Sequence, residues 1–204
     1  MVGEGVDPMT IERAATQGGF PAPPLAMLDE VSLTLTQHIR AEAQKAAETD
    51  GTELPGEVGV EVIERMVNEF GRKGRAAGSG FYDYPADGSP KTLWPGVREH
   101  FTTGTQYSMS DMEDRYRFIM ALETAKCIQE GVLTDTASAN IGGIFGIGYP
   151  PATGGPAQFM TNYAGGLAGF VARAKELAAT YGERFEPNEW LINKAASGQG
   201  LIGD

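Results

Sequence analysis

Residues 18–29 read GGFPAPPLAMLD, and residues 148–160 read GYPPATGGPAQFM. In each, glycine, an aromatic residue and proline come in succession, further proline follows, and the chain then enters an apolar pattern of helical period. Prolines fix φ and remove backbone donors, so each stretch stays extended and cannot slip into the helix behind it. Glycines permit close backbone approach or positive φ. Other markers repeat in the same order. Glu4-Gly5-Val6 returns as Glu130-Gly131-Val132, an offset of 126; Gly19-Phe20-Pro21 returns as Gly148-Tyr149-Pro150, an offset of 129; Pro24 aligns with Pro156, an offset of 132. Loop insertions in a second copy produce an offset that grows in small steps. The repeat predicts two homologous helical domains, 1–108 and 109–204, with chance likeness between two Gly/Pro loops as the alternative. Such a loop can wall a pocket or a subunit interface, or be no more than a rigid loop.

Outward from these loops the apolar spacing is helical almost throughout. A short helix is predicted over 10–16, opened by Asp7-Pro8 and stopped by Gly18-Gly19. Leu35, Ile39, Ala43 and Ala46 predict another that ends near Asp50-Gly51, followed by a turn at 51–56. Val62, Ile63, Met66, Val67 and Phe70 make a core-facing stripe. Ser110 and Asp111 are placed to cap a helix carrying Phe118, Leu122, Ala125 and Ile128. Leu167, Phe170, Val171, Ala174, Leu177 and Tyr181 mark the last strong helix. Loops are expected at 71–80, 85–96 and 140–156, and the tail 197–204 is expected to fray. Strand signal is limited to FYDY at 81–84 and one or two other short pieces, so the fold class is all-α.

Sixteen basic residues against 27 acidic ones leave a net charge of −11, a surface that repels phosphate backbones and argues against nucleic acid as the main partner. No run of 18 apolar residues suggests a membrane span, and the N-terminus lacks the basic and apolar regions of a signal peptide. The single cysteine, Cys127, excludes an intrachain disulfide and reads as an inert buried thiol, which suits a cytoplasmic protein. His38 and His100 have no HxxxH or HExxH partner, so no metal site is expected. A formal GxGxxG at 198–203 has no strand before it and no helix after it, and is rejected as a dinucleotide site. Asp29-Glu30 and Asp111/Glu113/Asp114 read as caps and solvated faces. No complete active site emerges, and no catalytic residue is assigned. One basic cluster, Arg72, Lys73 and Arg75 on a glycine-rich loop, is a candidate for the phosphates of a ligand such as coenzyme A; a solvated loop is the alternative.

Three blocks, in order, resemble one family. EGVDPMTIERAATQGGFPAPPLAMLDEVSL (4–33) looks like the start of the C-terminal domain of the 3-hydroxyacyl-CoA dehydrogenase family, and GRKGRAAGSGFYDY (71–84) is similar to its GR.G...G.GFY.Y signature. EGVLTDTASANIGGIFGIGYPPATGGPAQFM (130–160) resembles the second such domain in the α-subunits of bacterial fatty-acid β-oxidation multienzymes. The resemblance implies two homologous helical domains of the 6-phosphogluconate dehydrogenase C-terminal-like type. In short family members this domain forms a homodimer; in the long ones the tandem copy stands in for the partner subunit.

The resemblance also implies that an NAD-binding Rossmann domain, with the catalytic His–Glu pair and the substrate-orienting Ser and Asn, lies ahead of this segment. The whole polypeptide would oxidise L-3-hydroxyacyl-CoA to 3-ketoacyl-CoA with NAD. In the long form an enoyl-CoA hydratase domain lies further upstream and a thiolase subunit is a partner. The segment itself would form one side of the acyl-CoA cleft, with Phe20, Pro21, Pro24 and Leu28 as its wall. It would bind no NAD and show no turnover alone. Pro23-Pro24 stands where the family usually has Gly-Pro, which leaves the loop's detailed contacts open. The other function class is a free-standing, non-enzymatic helical module that binds acyl-CoA or a protein partner.

Overall fold

The computed structural model describes residues 1–52, 54 and 57–202, with Glu57 described by its backbone. Among these, ten α-helices and one two-stranded sheet form two compact units, Met1–Arg13 with Ala22–Tyr107 and Ala14–Pro21 with Ser108–Asp204. The fold is all-α.

The first unit begins with a 3-10 turn, Val2–Glu4, and α1 (Pro8–Gln17), the helix that leaves the unit after Arg13. Asp7 Oδ1 accepts the N–H groups of Met9 and Thr10 at 3.0 and 3.3 Å, satisfying donors that an uncapped start would leave orphaned. Pro24 opens α2 (Pro24–Val31), where its missing donor costs nothing. Ser32, at φ 85° the one non-glycine residue with positive φ among those described, turns the chain into α3 (Leu33–Asp50). Next come α4 (Glu57–Glu64) and a π turn over Arg65–Glu69. β1 (Tyr82–Asp83) pairs antiparallel with β2 (Thr92–Leu93), and α5 (Pro95–Phe101) follows. Val6, Ile11, Leu25, Leu33, Met66, Phe81 and Val97 are buried as the core.

The turn-rich segment 85–96 also supplies β2 and the start of α5. The helix expected from Leu35, Ile39, Ala43 and Ala46 forms as α3 and ends at Asp50; within it Leu35 and Ile39 are 44% and 57% exposed, while Leu33 and Ala47 are buried. Periodicity located the helix but not the face that finds a partner. Of the turn expected at 51–56, Gly51 caps α3 in the left-handed region, and residues 53, 55 and 56 lie outside the described set.

The second unit is built on α6 (Met109–Gln129), with α7 (Thr136–Ile147), α8 (Pro156–Thr161), α9 (Gly166–Tyr181) and α10 (Glu189–Ser197). Its core joins Phe118, Ala121, Leu122, Ala125 and Ile128 of α6 to Ala139, Met160, Phe170, Ala174, Leu177 and Leu191. Phe118 stacks on Phe170 with centroids 4.4 Å apart and planes within 3°. Ser108, not Ser110 or Asp111, caps α6: its Oγ accepts the Asp111 N–H at 3.0 Å. The expected loop at 140–156 shrinks to 148–155. Asp135 caps α7 by accepting from Ser138 N at 2.7 Å, and at Gly143 the helix needs a glycine because a Cβ there would overlap the Pro156 ring. Nor does the tail fray from 197. The α10 helix ends at Ser197, and Leu201 returns to the core at 2% exposure; 203 and 204 lie outside the described residues. Cys127 is half-buried rather than buried and lines an apolar groove between α6 and α7. No helix among the described residues is long and apolar enough to cross a membrane, and none of their His, Cys, Asp and Glu side chains cluster as a metal site would need.

Candidate functional site

Two carboxylates organise the first unit, and both are nearly inaccessible: Glu12 is 6% exposed and Asp29 1%. Glu12 faces the open N-terminus of α2, where it accepts from Leu25 N and Ala26 N at 3.4 and 3.3 Å and from the Tyr82 hydroxyl at 2.9 Å. A carboxylate there satisfies orphan donors and complements the helix dipole. Asp29, from the last turn of α2, accepts from Phe81 N and Tyr82 N at 2.8 Å each and from the Tyr84 hydroxyl at 3.0 Å. The stretch 71–84 is wound around these acids. A Cβ at Gly80 would overlap the Asp29 carboxylate, and Gly74, at φ 121°, meets the Asp29 carbonyl and Ser32 with no room for a side chain. Arg72 donates to the carbonyls of Gly80 and Tyr82 and pairs with Asp83, while its guanidinium lies 4.4 Å above the Trp94 ring. Asp29 is thus neither a cap nor a solvated acid: it is the acceptor on which the signature loop is hung.

In the second unit the two proline loops meet. A Cβ at Gly19 would lie 3.2 Å from Cβ of Pro150, and one at Gly148 would lie 3.4 Å from Cγ of Pro21. Between them the Phe20 ring stands edge-on to Tyr149 at 6.3 Å and 5.7 Å from Tyr116. Arg117 Nε donates to the Gly18 carbonyl at 3.1 Å, and the Tyr149 hydroxyl to the Arg117 carbonyl at 3.3 Å. The acidic run at the start of α6 is paired rather than solvated. Arg173 of α9 reaches Asp111 and Asp114, Tyr181 donates to Asp111 at 2.7 Å, and Arg117 pairs with Glu113 at 3.2 Å.

Residues 1–84 match the family model for the 3-hydroxyacyl-CoA dehydrogenase, C-terminal domain. Over residues 1–84 the chain carries the pattern of the C-terminal domain of the 3-hydroxyacyl-CoA dehydrogenase family. The fatty acid oxidation complex subunit alpha of Vibrio vulnificus (strain CMCP6) is 31% identical over 193 residues, an alignment covering 93% of this chain and 26% of that protein. The subunit of the same name from Vibrio campbellii (strain ATCC BAA-1116) is 32% identical over 191 residues, with the same shares. The chain thus spans about a quarter of the length of the curated relatives it matches.

The predicted site residues fall in both units. Phe20 and Pro21 belong to the second unit, with Pro21 exposed, whereas Pro24 and Leu28 are half-buried on α2 of the first. Of the basic cluster, Arg72 is consumed in holding the loop. Arg75 is exposed and paired with Glu30 at 2.6 Å, and Lys73 is exposed with no ion pair among the described residues. Sequence reasoning missed Glu12 altogether. The tyrosines of FYDY were its only visible counterpart, 70 residues away.

Burial pushes the carboxyl groups of Glu12 and Asp29 above their usual range, against the hydrogen bonds from Tyr82 and the backbone. A raised folded-state pKa means that the native chain holds these protons more tightly than the unfolded one. Their contribution is therefore most favourable at low pH and declines as pH rises through the ordinary carboxylate range and beyond. Glu12→Gln removes the charge while keeping an acceptor for the α2 donors. Relative to wild type, its urea midpoint is expected to improve between pH 4 and pH 7; a constant or shrinking difference would contradict the burial penalty.

Proposed function

We propose that this segment is the substrate-cleft and interface part of a longer, cytoplasmic polypeptide that oxidises L-3-hydroxyacyl-CoA to 3-ketoacyl-CoA with NAD in fatty-acid β-oxidation. The observation that carries the reading is the alignment of 93% of the chain with subunits of fatty acid oxidation complexes, in company with the domain match over 1–84. The residues here do not fit a dinucleotide. Gly198 ends α10 at φ 67° instead of opening a helix, and Leu201, inside the formal GxGxxG, is buried core. NAD and the reacting carbon are accordingly assigned to residues outside this chain, with acyl-CoA as substrate, and a hydratase domain and a thiolase subunit as further members of the assembly. For the anionic end of the substrate, Lys73 and Arg75 are the remaining candidates, since Arg72 is structural.

Three observations support a duplicated helical domain, 1–108 and 109–204. The approaches of Gly19 to Pro150 and of Gly148 to Pro21 exchange into each other when the two loops are swapped, as equivalent positions of a repeat do. Asp7 caps α1 and Asp135 caps α7, an offset of 128. Glu12 receives Ala26 N at the start of α2, and Asn140 receives Gln158 N at the start of α8, again 128 apart. The loop is written twice because a self-associating unit was copied within one chain.

The test compares purified 1–204 with the polypeptide extended upstream as its gene encodes it. The extended chain should reduce NAD in the presence of 3-hydroxyacyl-CoA, and 1–204 should give none above blank. Turnover by 1–204, or an extended chain without activity, would sink the reading; a gene that begins at Met1 would favour a free-standing module.

A further inference from the structure

The first unit keeps a row of large apolar side chains in water. Met27 and Val31 stand four apart on α2, Leu35 and Ile39 four apart on α3, and all are between 44% and 57% exposed. Beyond Ile39 the surface continues into an apolar groove of about 600 Å³ lined by Ala43, Val60 and Ile63. The second unit shows what becomes of the same positions when they are covered. At the offset of 132 that relates Pro24 to Pro156, the four correspond to Phe159, Tyr163, Leu167 and Val171. Those four pack on the core, three as partly buried members and Val171 at 7% exposure. Their cover includes α6, whose Phe118 ring lies 5.6 Å from Phe159 and 5.3 Å from Tyr163. The α6 helix ends immediately before Glu130-Gly131-Val132, and the 3-10 turn Val2–Glu4 runs into Glu4-Gly5-Val6.

We propose that the face formed by Met27, Val31, Leu35 and Ile39 is the seat of an α6-like helix from the polypeptide ahead of residue 1. The inference rests on the duplicated-domain reading. An offset of 126 places the end of that helix on the Val2–Glu4 turn and a bulky apolar residue, the counterpart of Phe118, about nine positions ahead of Met1. The aligned stretch is 26% of each relative, so most of each relative lies outside it. Such a helix needs an apolar stripe at i, i+3, i+4 and i+7 toward the face, as α6 has with Phe118, Ala121, Leu122 and Ala125.

Single cysteines read the cover directly. In a Cys127→Ser background, Leu35→Cys and Ile39→Cys are treated with maleimide in 1–204 and in the chain extended upstream as encoded. Glu42→Cys, exposed on the same helix, is the control. In 1–204 the two sites should label as fast as the control, and in the extended chain at least about tenfold more slowly, with the control unchanged. Equal rates in the two chains, or upstream coding without a helical apolar stripe, overturn the proposal. So does protection in 1–204 that disappears on dilution, which would put a second copy on the face. Fast labelling in an extended chain that still oxidises 3-hydroxyacyl-CoA would remove this inference and leave the enzyme reading standing.

Discussion

Asp29→Ala should destabilise the first unit by about 3 kcal/mol, enough to lower its melting temperature by more than about 10 °C. Three donors converge on this one carboxylate, from Phe81 N, Tyr82 N and the Tyr84 hydroxyl, and the residue is 1% exposed. The Tyr84 hydroxyl is only half-buried and can turn to water. Phe81, at 1% exposure, cannot offer its N–H to solvent, so that donor bears the full desolvation cost. Part of the loss is returned because a buried charge is removed, which holds the figure below the sum of three broken bonds. Asp29→Asn keeps one oxygen and should lose about half as much. Hydrogen exchange followed by peptide mass spectrometry localises the effect: residues 78–94 should lose protection first, since β1, β2 and the Arg72 stack on Trp94 all depend on where Asp29 holds the loop. Wild-type protection and midpoint in Asp29→Ala would show that the knot is carried by Arg72 and the glycines instead.

That acid also marks the limit of what the sequence discloses. FYDY is legible as extended, and GRKGRAAGSG as a loop, because glycine and β-formers act within a few residues. Their partner lies 52 residues earlier in sequence, on a helix where an acid before Glu30 looks like any solvated pair. Distance in sequence, not subtlety of chemistry, hides it. The same reason explains α3: spacing located the helix, but which apolar residues are covered depends on neighbours that spacing does not name. The opposite error occurs at 140–147, where three glycines outweigh a good capping residue at Asp135 in a local reading. In the fold, Gly143 is there because Pro156 must approach, so a packing requirement was mistaken for a break in the helix. The repeat was easiest to read because Gly, aromatic and Pro in succession keep their meaning in isolation. Yet Ala14–Pro21, which carries the first loop, is grouped with the second unit, as no local signal announces.

Phe118→Ala is expected to have the largest effect, about 3–5 kcal/mol of stability lost from the second unit. The ring is fully buried, stacks on Phe170, and meets Phe159 and Tyr163 at near right angles, 88° and 87°. Truncation therefore removes three aromatic contacts as well as the buried area, and leaves a void whose walls are themselves rings that cannot collapse inward. Phe118→Leu restores most of the volume without the ring geometry and should recover more than half of the loss. Because Phe170 shares the stack, Phe118→Ala combined with Phe170→Ala should cost less than the two separate losses added, whereas Phe118→Ala combined with Leu191→Ala should come closer to additivity. Urea unfolding of wild type, the three single alanine variants and the two double variants decides this. Full additivity of Phe118 with Phe170 would mean that the stack contributes nothing beyond burial. In that case α6 would hold the second unit by area alone, and no aromatic residue need be sought in the helix that covers Met27, Val31, Leu35 and Ile39.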